Sequence, residues 1–292
     1  MKIFFRALIL ASLTLFRASA QVTVEVVTEQ DQFLPSEALP VAVKITNRSG
    51  QPLHLGASPN WLTFDVESAD GIIVVKNAEV PVTGEFDVGS SQVATKRVNL
   101  APYFGLSRPG RYRIVATVRI KDWKAETASP PKNFDVITGA KIWSQDFGVP
   151  IPSGATNRTP EVRKYTLQKA NYLRTQLRLY VEVSDPAEAQ VFKVVNIGKT
   201  VSFSTPDAQL DRSSNLHLLW QSGAAHFTYA VVNPDGELMR QEVYDYVAPG
   251  PRPRLNVAAD GTVTVYGGVR RLQPEPMPMV KAPNDLPAPQ SP

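Results

Sequence analysis

The sequence contains no cysteine and only three histidines, His54, His217 and His226. Lack of cysteine excludes disulfides, thiol catalysis, cysteine-ligated zinc and a lipoprotein anchor. The histidines form no His-x-x-x-His or His-Glu-x-x-His pair, so zinc hydrolysis has no support. No Gly-x-Ser-x-Gly elbow exposes a strained serine. No glycine-rich loop leads into a helix to cradle a phosphate. There is no long Lys/Arg run and, past residue 20, no apolar run long enough to cross a bilayer. Asp70-Gly71, Asp235-Gly236 and Asp260-Gly261 lack the further acids a calcium loop requires and read as hairpin turns. No cofactor is expected.

The formal charge of +4 overstates the basicity. Three of the 31 basic residues, Lys2, Arg6 and Arg17, lie in residues 1–20, which hold no acid. The remainder carries 28 basic and 27 acidic residues, a net of +1. Nucleic-acid binding needs a concentrated basic face, so no nucleic-acid partner is expected.

What is present begins with MKIFFRALILASLTLFRASA. A positive start (Lys2, Arg6), an apolar run (Ala7 to Phe16) and a small-residue close (Ala18-Ser19-Ala20) form the pattern of a secretory signal. Cleavage is expected between Ala20 and Gln21, giving an exported, periplasmic or extracellular chain with no transmembrane segment.

Strand signals dominate from Gln21 onward. Segments 22–27, 39–47, 62–68, 111–120, 133–137 and 141–143 are rich in β-branched residues or alternate between apolar and polar. Ala69-Asp70-Gly71 is read as a turn joining 62–68 to a partner strand at 72–76. Turns at this spacing, with no helical period between them, predict a β-sandwich over 21–150.

FLPSEALPVAVKITNRSGQPL (33–53) and SRPGRYRIVATV (107–118) together resemble immunoglobulin-like envelope domains, of the macroglobulin type and of a bacterial proteinase-inhibitor type. Pro35, Glu37, Asn47, Gly50, Pro109, Gly110 and Tyr112 carry the resemblance, which covers roughly residues 22–150. It is a likeness of turn grammar. It implies an immunoglobulin-like fold and suggests proteinase inhibition as one alternative function.

From Asp146 to Pro160 periodicity disappears, and residues 151–160 are read as an inter-domain linker. A second β-rich domain is expected over 161–272, with strands at 177–183 and 190–198. Residues 159–176 fit a helix capped by Thr159 and a strand equally well. An internal repeat relates PDAQLDRSSNLHLLW, starting at Pro206, to PRLNVAADGTVTVYG, starting 47 residues later at Pro253. It predicts two units of a propeller-blade-like or meander sheet, too few to close a propeller. Residues 273–292, dense in proline, are read as a disordered tail.

Three groups are candidates for function. Arg111, Arg113 and Arg119, with Trp123 nearby, would make an exposed basic stripe able to bind an anionic polymer or a partner protein. Asp65 and Glu67, two apart on one strand face, have a spacing that acid/base chemistry on a polysaccharide uses. Their ordinary reading is a solvated sandwich face. His217 reads as an exposed strand position, and His226 would approach it only if 216–220 and 226–232 pair. The Asn47-Arg48-Ser49 and Asn157-Arg158-Thr159 sequons matter only in a eukaryotic secretory route. The whole reads as an exported, non-catalytic binding or structural module of a cell envelope, its partner a protein or a glycan. A proteinase inhibitor and a polysaccharide-acting enzyme are the alternatives.

Overall fold

The computed structural model describes residues 22–71, 73–150 and 161–271. The expected signal segment with its Ala20/Gln21 cleavage point, the 151–160 segment and the 273–292 tail lie outside them. Strand makes up 56% of the structure and helix 1%, so the protein belongs to the all-β class. Two compact units divide between Lys199 and Thr200.

The first unit holds fourteen strands among the described residues. They are β1 (Val22–Thr28), β2 (Gln32–Phe33), β3 (Pro40–Asn47), β4 (Leu53–Leu55), β5 (Leu62–Ser68), β6 (Phe86–Val88) and β7 (Val93–Asn99). After a single 3-10 turn at Ala101–Tyr103 come β8 (Gly110–Ile120), β9 (Ala125–Ala128), β10 (Lys132–Val136), β11 (Ala140–Gly148), β12 (Val162–Tyr172), β13 (Gln176–Ser184) and β14 (Val191–Lys199).

The order β1-β3-β7 in one sheet and β2-β10-β8-β5 in the other is that of an immunoglobulin-type sandwich. β2 runs parallel to β10; the other pairs are antiparallel. Alternation makes the core: Tyr112, Ile114, Ala116, Val118 and Ile120 of β8 are buried, against Val24, Val43 and Ile45 of the facing sheet. Two of the turn residues singled out in the sequence, Asn47 and Tyr112, do framework work. The Asn47 side chain donates to the Gln51 and Val88 carbonyls at 2.7 and 2.8 Å and accepts from Ser49. The Tyr112 hydroxyl donates to the Arg108 carbonyl at 2.6 Å, a tyrosine corner. Asn47 is fully buried, so the folded chain does not present it as a glycosylation acceptor. Asn157 lies outside the described residues.

The expected hairpin of 62–68 with 72–76 does not form. β5 pairs with β8 instead, Ser68 opposite Tyr112, and the Asp70 carboxylate accepts from the Arg111 N–H at 3.0 Å. That bond ties the turn to β8. Ile73 and Val75 are exposed, and 75–77 bonds with the backbone of 103–105.

β11, β12, β13 and β14 form a further, wholly antiparallel sheet of the first unit. Residues 159–176, readable as helix or strand, include β12. Gly148 of β11 stands opposite Val162 of β12, so the strands flanking the expected linker pair with each other. The boundary between compact units is not there but after β14. The physical reason is the turn Leu34–Glu37. Leu34 packs with Ala170, Tyr180 and Val194, and Glu37 bridges to Val194, tying the sandwich to this sheet.

The β12–β13 turn places two non-glycine residues, Leu173 (φ 49) and Arg174 (φ 61), in left-handed backbone. The Thr175 N–H donates to the Tyr172 carbonyl at 3.2 Å across them. Such primed turns favour Asn-Gly. The double change Leu173→Asn, Arg174→Gly is expected to stabilise the first unit by about 1–2 kcal/mol, since left-handed backbone costs that order for other residues. A raised urea midpoint at unchanged slope is the readout.

The second unit holds β15 (Asp207–Leu210), β16 (Leu216–Gln221), β17 (His226–Val232), β18 (Leu238–Asp245), β19 (Arg254–Val257), β20 (Val263–Tyr266) and β21 (Val269–Arg270). Five of them make the sheet β15-β16-β17-β18-β21, and β19-β20 is a separate hairpin. Leu255 and Val265 of that hairpin pack with Leu219, Phe227, Tyr229 and Val231 of the larger sheet.

The 47-residue repeat is a repeat of hairpins. Leu210 faces Leu216 as Val257 faces Val263. The turns also match: Asp211 N–H donates to Asn215 and Ala258 N–H to Thr262, with Ser214 and Gly261 left-handed at the equivalent place. Asn233–Glu237 closes β17–β18 in the same way, with Gly236 left-handed.

Candidate functional site

Arg111, Arg113 and Arg119 project from β8 on its exposed face. Each stands across from an acid: Asp135 of β10, Glu67 of β5 and Glu126 of β9 respectively. Arg113 lies 2.5 Å from Glu67 and Arg119 lies 2.7 Å from Glu126. The expected basic stripe is therefore a mixed-charge ladder, in which each pair is worth roughly 0.2–1 kcal/mol. Trp123 is half-buried and packs against the sandwich core. The sequence shows the arginines; their acids come from strands that are distant in sequence.

Asp65 and Glu67 share the exposed face of β5. Asp65 stands across from Val115, and Glu67 is held by Arg113. They lie on an extended, exposed strand face.

The strands 216–221 and 226–232 do pair, but the register separates the two histidines. His217 stands across from Val231, and His226 across from Asp245 of β18. His217 is also buried, not exposed, because β16 is covered on both faces. Its Nε2 meets Asp211 at 3.2 Å and its Nδ1 meets the Tyr229 hydroxyl at 2.7 Å. A hydrogen on Nε2 is donated to Asp211, and Nδ1 accepts from the Tyr229 hydroxyl. The Asp211 carboxylate also accepts from the backbone of Ser213 and Asn215 and from the Asn215 side chain. Asn233 makes the same backbone bonds without any histidine nearby. Asp211 is thus a turn lock, and His217 braces it.

His54 stands across from Asp87 in the β4–β6 pair, its Nδ1 2.7 Å from the carboxylate. That bond, aided by the charges of Asp87, Glu85 and Asp122, holds the imidazole above its ordinary value against a smaller opposing effect of desolvation. A raised value in the folded state means that the contribution of this pair is present below the unfolded value. It is lost as pH rises through the folded one. The His54 ring resonances are expected to titrate above about 6.5, the unperturbed value. Asp87→Asn should bring that midpoint down. An unchanged midpoint would remove the pairing.

Three carboxylates stand out in the structure that sequence reasoning did not single out for chemistry. Glu37 is buried at the Leu34–Glu37 turn, accepting from the Leu34 N–H at 2.8 Å and from Gln30 at 2.9 Å. Burial pushes its carboxyl up against the opposing pull of these bonds and of Arg178. Glu182 of β13 accepts from buried Gln168 at 2.8 Å, and burial pushes it up as well. Beside it, Lys141 and Lys164 pair with Glu188. Glu242 of β18, 7% exposed, takes Arg240 and Arg270 at 2.6 and 2.7 Å and the Tyr244 hydroxyl at 2.9 Å. The one available sequence signal was spacing: Arg240, Glu242 and Tyr244 alternate, which puts them on one strand face.

These arrangements share one chemistry. Each ionisable side chain is held by neighbours that fix a turn or a strand pair. Among the described residues no three His, Asp or Glu side chains converge as a metal site requires. No helix among them is long and apolar enough to cross a membrane. The fold and these sites define a class: an all-β scaffold whose polar clusters brace its framework.

No family model matches the chain, and no curated protein matches it. Among solved structures, the sporulation control protein Spo0M from Bacillus subtilis aligns over 61% of this chain and 89% of its own, at 10% identity and a TM-score of 0.32. A likeness that low carries no argument about fold or activity.

Proposed function

We propose that the chain is an exported, non-catalytic binding or structural module of the cell envelope. The observation that carries this reading is the use made of its acids and bases. Glu37, Asp211, His217 and Glu242 spend their hydrogen bonds on framework contacts. General acid or base catalysis needs a group free to exchange a proton with a substrate. The signal pattern at residues 1–20 supports export. The turn grammar of 33–53 and 107–118, with its Asn47 lock and Tyr112 corner, supports kinship with immunoglobulin-like envelope domains.

The test is a cross-linked pull-down of the exported protein from its own envelope fraction, read by mass spectrometry. A reproducible partner, protein or glycan, recovered at stoichiometric yield is the expected result. Retention of the whole protein in the cytoplasm, with residues 1–20 intact, would sink the reading.

A further inference from the structure

The outer face of the β1-β3-β7 sheet carries an open depression of about 200 Å³. Strand alternation settles which side chains face it. Val41, Val43 and Ile45 of β3 point into the core, so Ala42 and Lys44 point outward. Their partners in register share that face. Val27 of β1 and Arg97 of β7 stand beside Ala42, and Thr95 of β7 stands beside Lys44. Lys96, between Thr95 and Arg97, points the other way and lies over the Phe86 ring at 4.2 Å. Ala42 is the smallest outward side chain of the central strand, which makes the dip, and Val27, Pro40, Lys44, Thr95 and Arg97 rim it. Pro40, Lys44, Thr95 and Arg97 are exposed and Val27 and Ala42 half-buried, so the lining has surface for a ligand to touch.

Two cations meet at this dip. The Asn47 N–H donates to the Gln92 carbonyl and the Leu100 N–H to the Leu39 carbonyl, which puts the bonded β3–β7 pairs at odd-numbered positions of β3. Ala42–Arg97 and Lys44–Thr95 are the pairs in between, where side chains across a ladder stand closest. Lys44 and Arg97 are diagonal neighbours, about 7–8 Å apart at the backbone. Neither has a hydrogen-bond or ion-pair partner among the described residues. The facing sheet is different: Arg113, Arg119 and Lys132 each have an acid. Two neighbouring like charges repel, and an anion held between them offsets the repulsion. Glu25 of β1 stands across from Lys44 but makes no ion pair with it, and Glu29 lies at the β1 end of the depression. The acids are thus on the β1 side and the cations toward β7.

We infer that this depression binds a phosphate monoester with a small apolar body. Arg97, Lys44 and the Thr95 hydroxyl take the phosphate, and Val27, Ala42 and Pro40 take the body. Arginine supplies a planar pair of donors, lysine a point charge and threonine a further donor, enough for three phosphate oxygens. Adjacent, paired strands carry all three, so only side chains have to be ordered on binding. The site is independent of the envelope reading: it stands or falls on the depression and its two cations.

The test uses the full chain with phenyl phosphate, benzoate and benzyl alcohol as probes, followed by calorimetry and by NMR of the methyl groups. Phenyl phosphate is expected to bind saturably, with shifts centred on Val27, Ala42 and Thr95, and to weaken with added salt. It should bind about tenfold or more tightly than benzyl alcohol, the scale of a charge-assisted over a neutral hydrogen bond. Benzoate, with one charge and two oxygens, should fall between them. Lys44→Ala with Arg97→Ala should reduce phenyl phosphate to the level of benzyl alcohol, whereas Arg113→Ala should leave it unchanged. Glu29→Gln should tighten it, by removing a like charge. Ala42→Phe, which fills the dip, should abolish binding; the exposed Lys44 and Arg97 variants carry the test should that one fail to fold. No saturable binding of phenyl phosphate, or shifts centred on other methyl groups, overturns the site. Undiminished binding by the Lys44, Arg97 double variant overturns the role of the cations, and benzoate binding as tightly as phenyl phosphate overturns the ligand class.

Discussion

Trp61→Ala is expected to destabilise the sandwich by about 3–5 kcal/mol, the range for deleting a fully buried large aromatic. Trp61 is 1% exposed and immediately precedes β5. Its indole meets Phe86 edge-on at 5.4 Å and its Nε1–H donates to the Val82 carbonyl at 2.9 Å. It therefore holds two things: the core itself, and the strandless connection carrying buried Val80 and Val82 between β5 and β6. Removing it opens a cavity and strands the Val82 carbonyl. Trp61→Phe keeps most of the apolar volume and should cost distinctly less. Urea denaturation followed by circular dichroism measures both. Equal, small losses would mean that the connection is held by something else. With no cysteine in the chain, no disulfide backs Trp61, and the Phe86 edge and the Val82 carbonyl hold it.

The double variant Arg240→Ala, Arg270→Ala is expected to destabilise the second unit by about 3–5 kcal/mol, because it leaves a buried carboxylate without its cations. Both arginines are about half exposed, whereas the Glu242 side chain is 6% exposed. The cost therefore sits on the glutamate. Glu242→Gln in the same double background should recover much of the loss, since a neutral amide needs no counter-charge. Failure of that rescue would show that the arginines contribute by packing their stems on the sheet, as long cationic side chains do.

Much of the fold was legible because its strands alternate. β3, β5 and β8 were readable residue by residue, and the 47-residue repeat marked two hairpins of the same register. Where reading failed, the cause was pairing or a covered polar face. The Ala69–Gly71 turn looked like a hairpin turn, yet Asp70 bonds to Arg111, forty-one residues away, and β5 goes to β8. β12 was indistinct because Thr166 and Gln168 are polar and nevertheless buried, which erases the period-2 signal. His217 was misplaced for the related reason that β16 is buried on both faces.

The candidate site was the least legible part. Arg113, Arg119 and Glu67 were visible, but the sense of each depends on the residue across the ladder. Glu37 was noticed as turn grammar; that it is buried depends on Val194 of β14, to which it bridges from far along the chain. Such juxtapositions arise from sheet topology, which local pattern does not encode.

Binding without turnover is what the proposed module does in the envelope. The most direct measurement is to incubate the purified chain with its own envelope fraction and follow both association and the masses of proteins and glycans over time. A saturable, stoichiometric complex whose components keep their masses is the expected result. Time-dependent conversion of an envelope component by a substoichiometric amount of the chain, abolished by Glu37→Gln or Glu242→Gln, would contradict it.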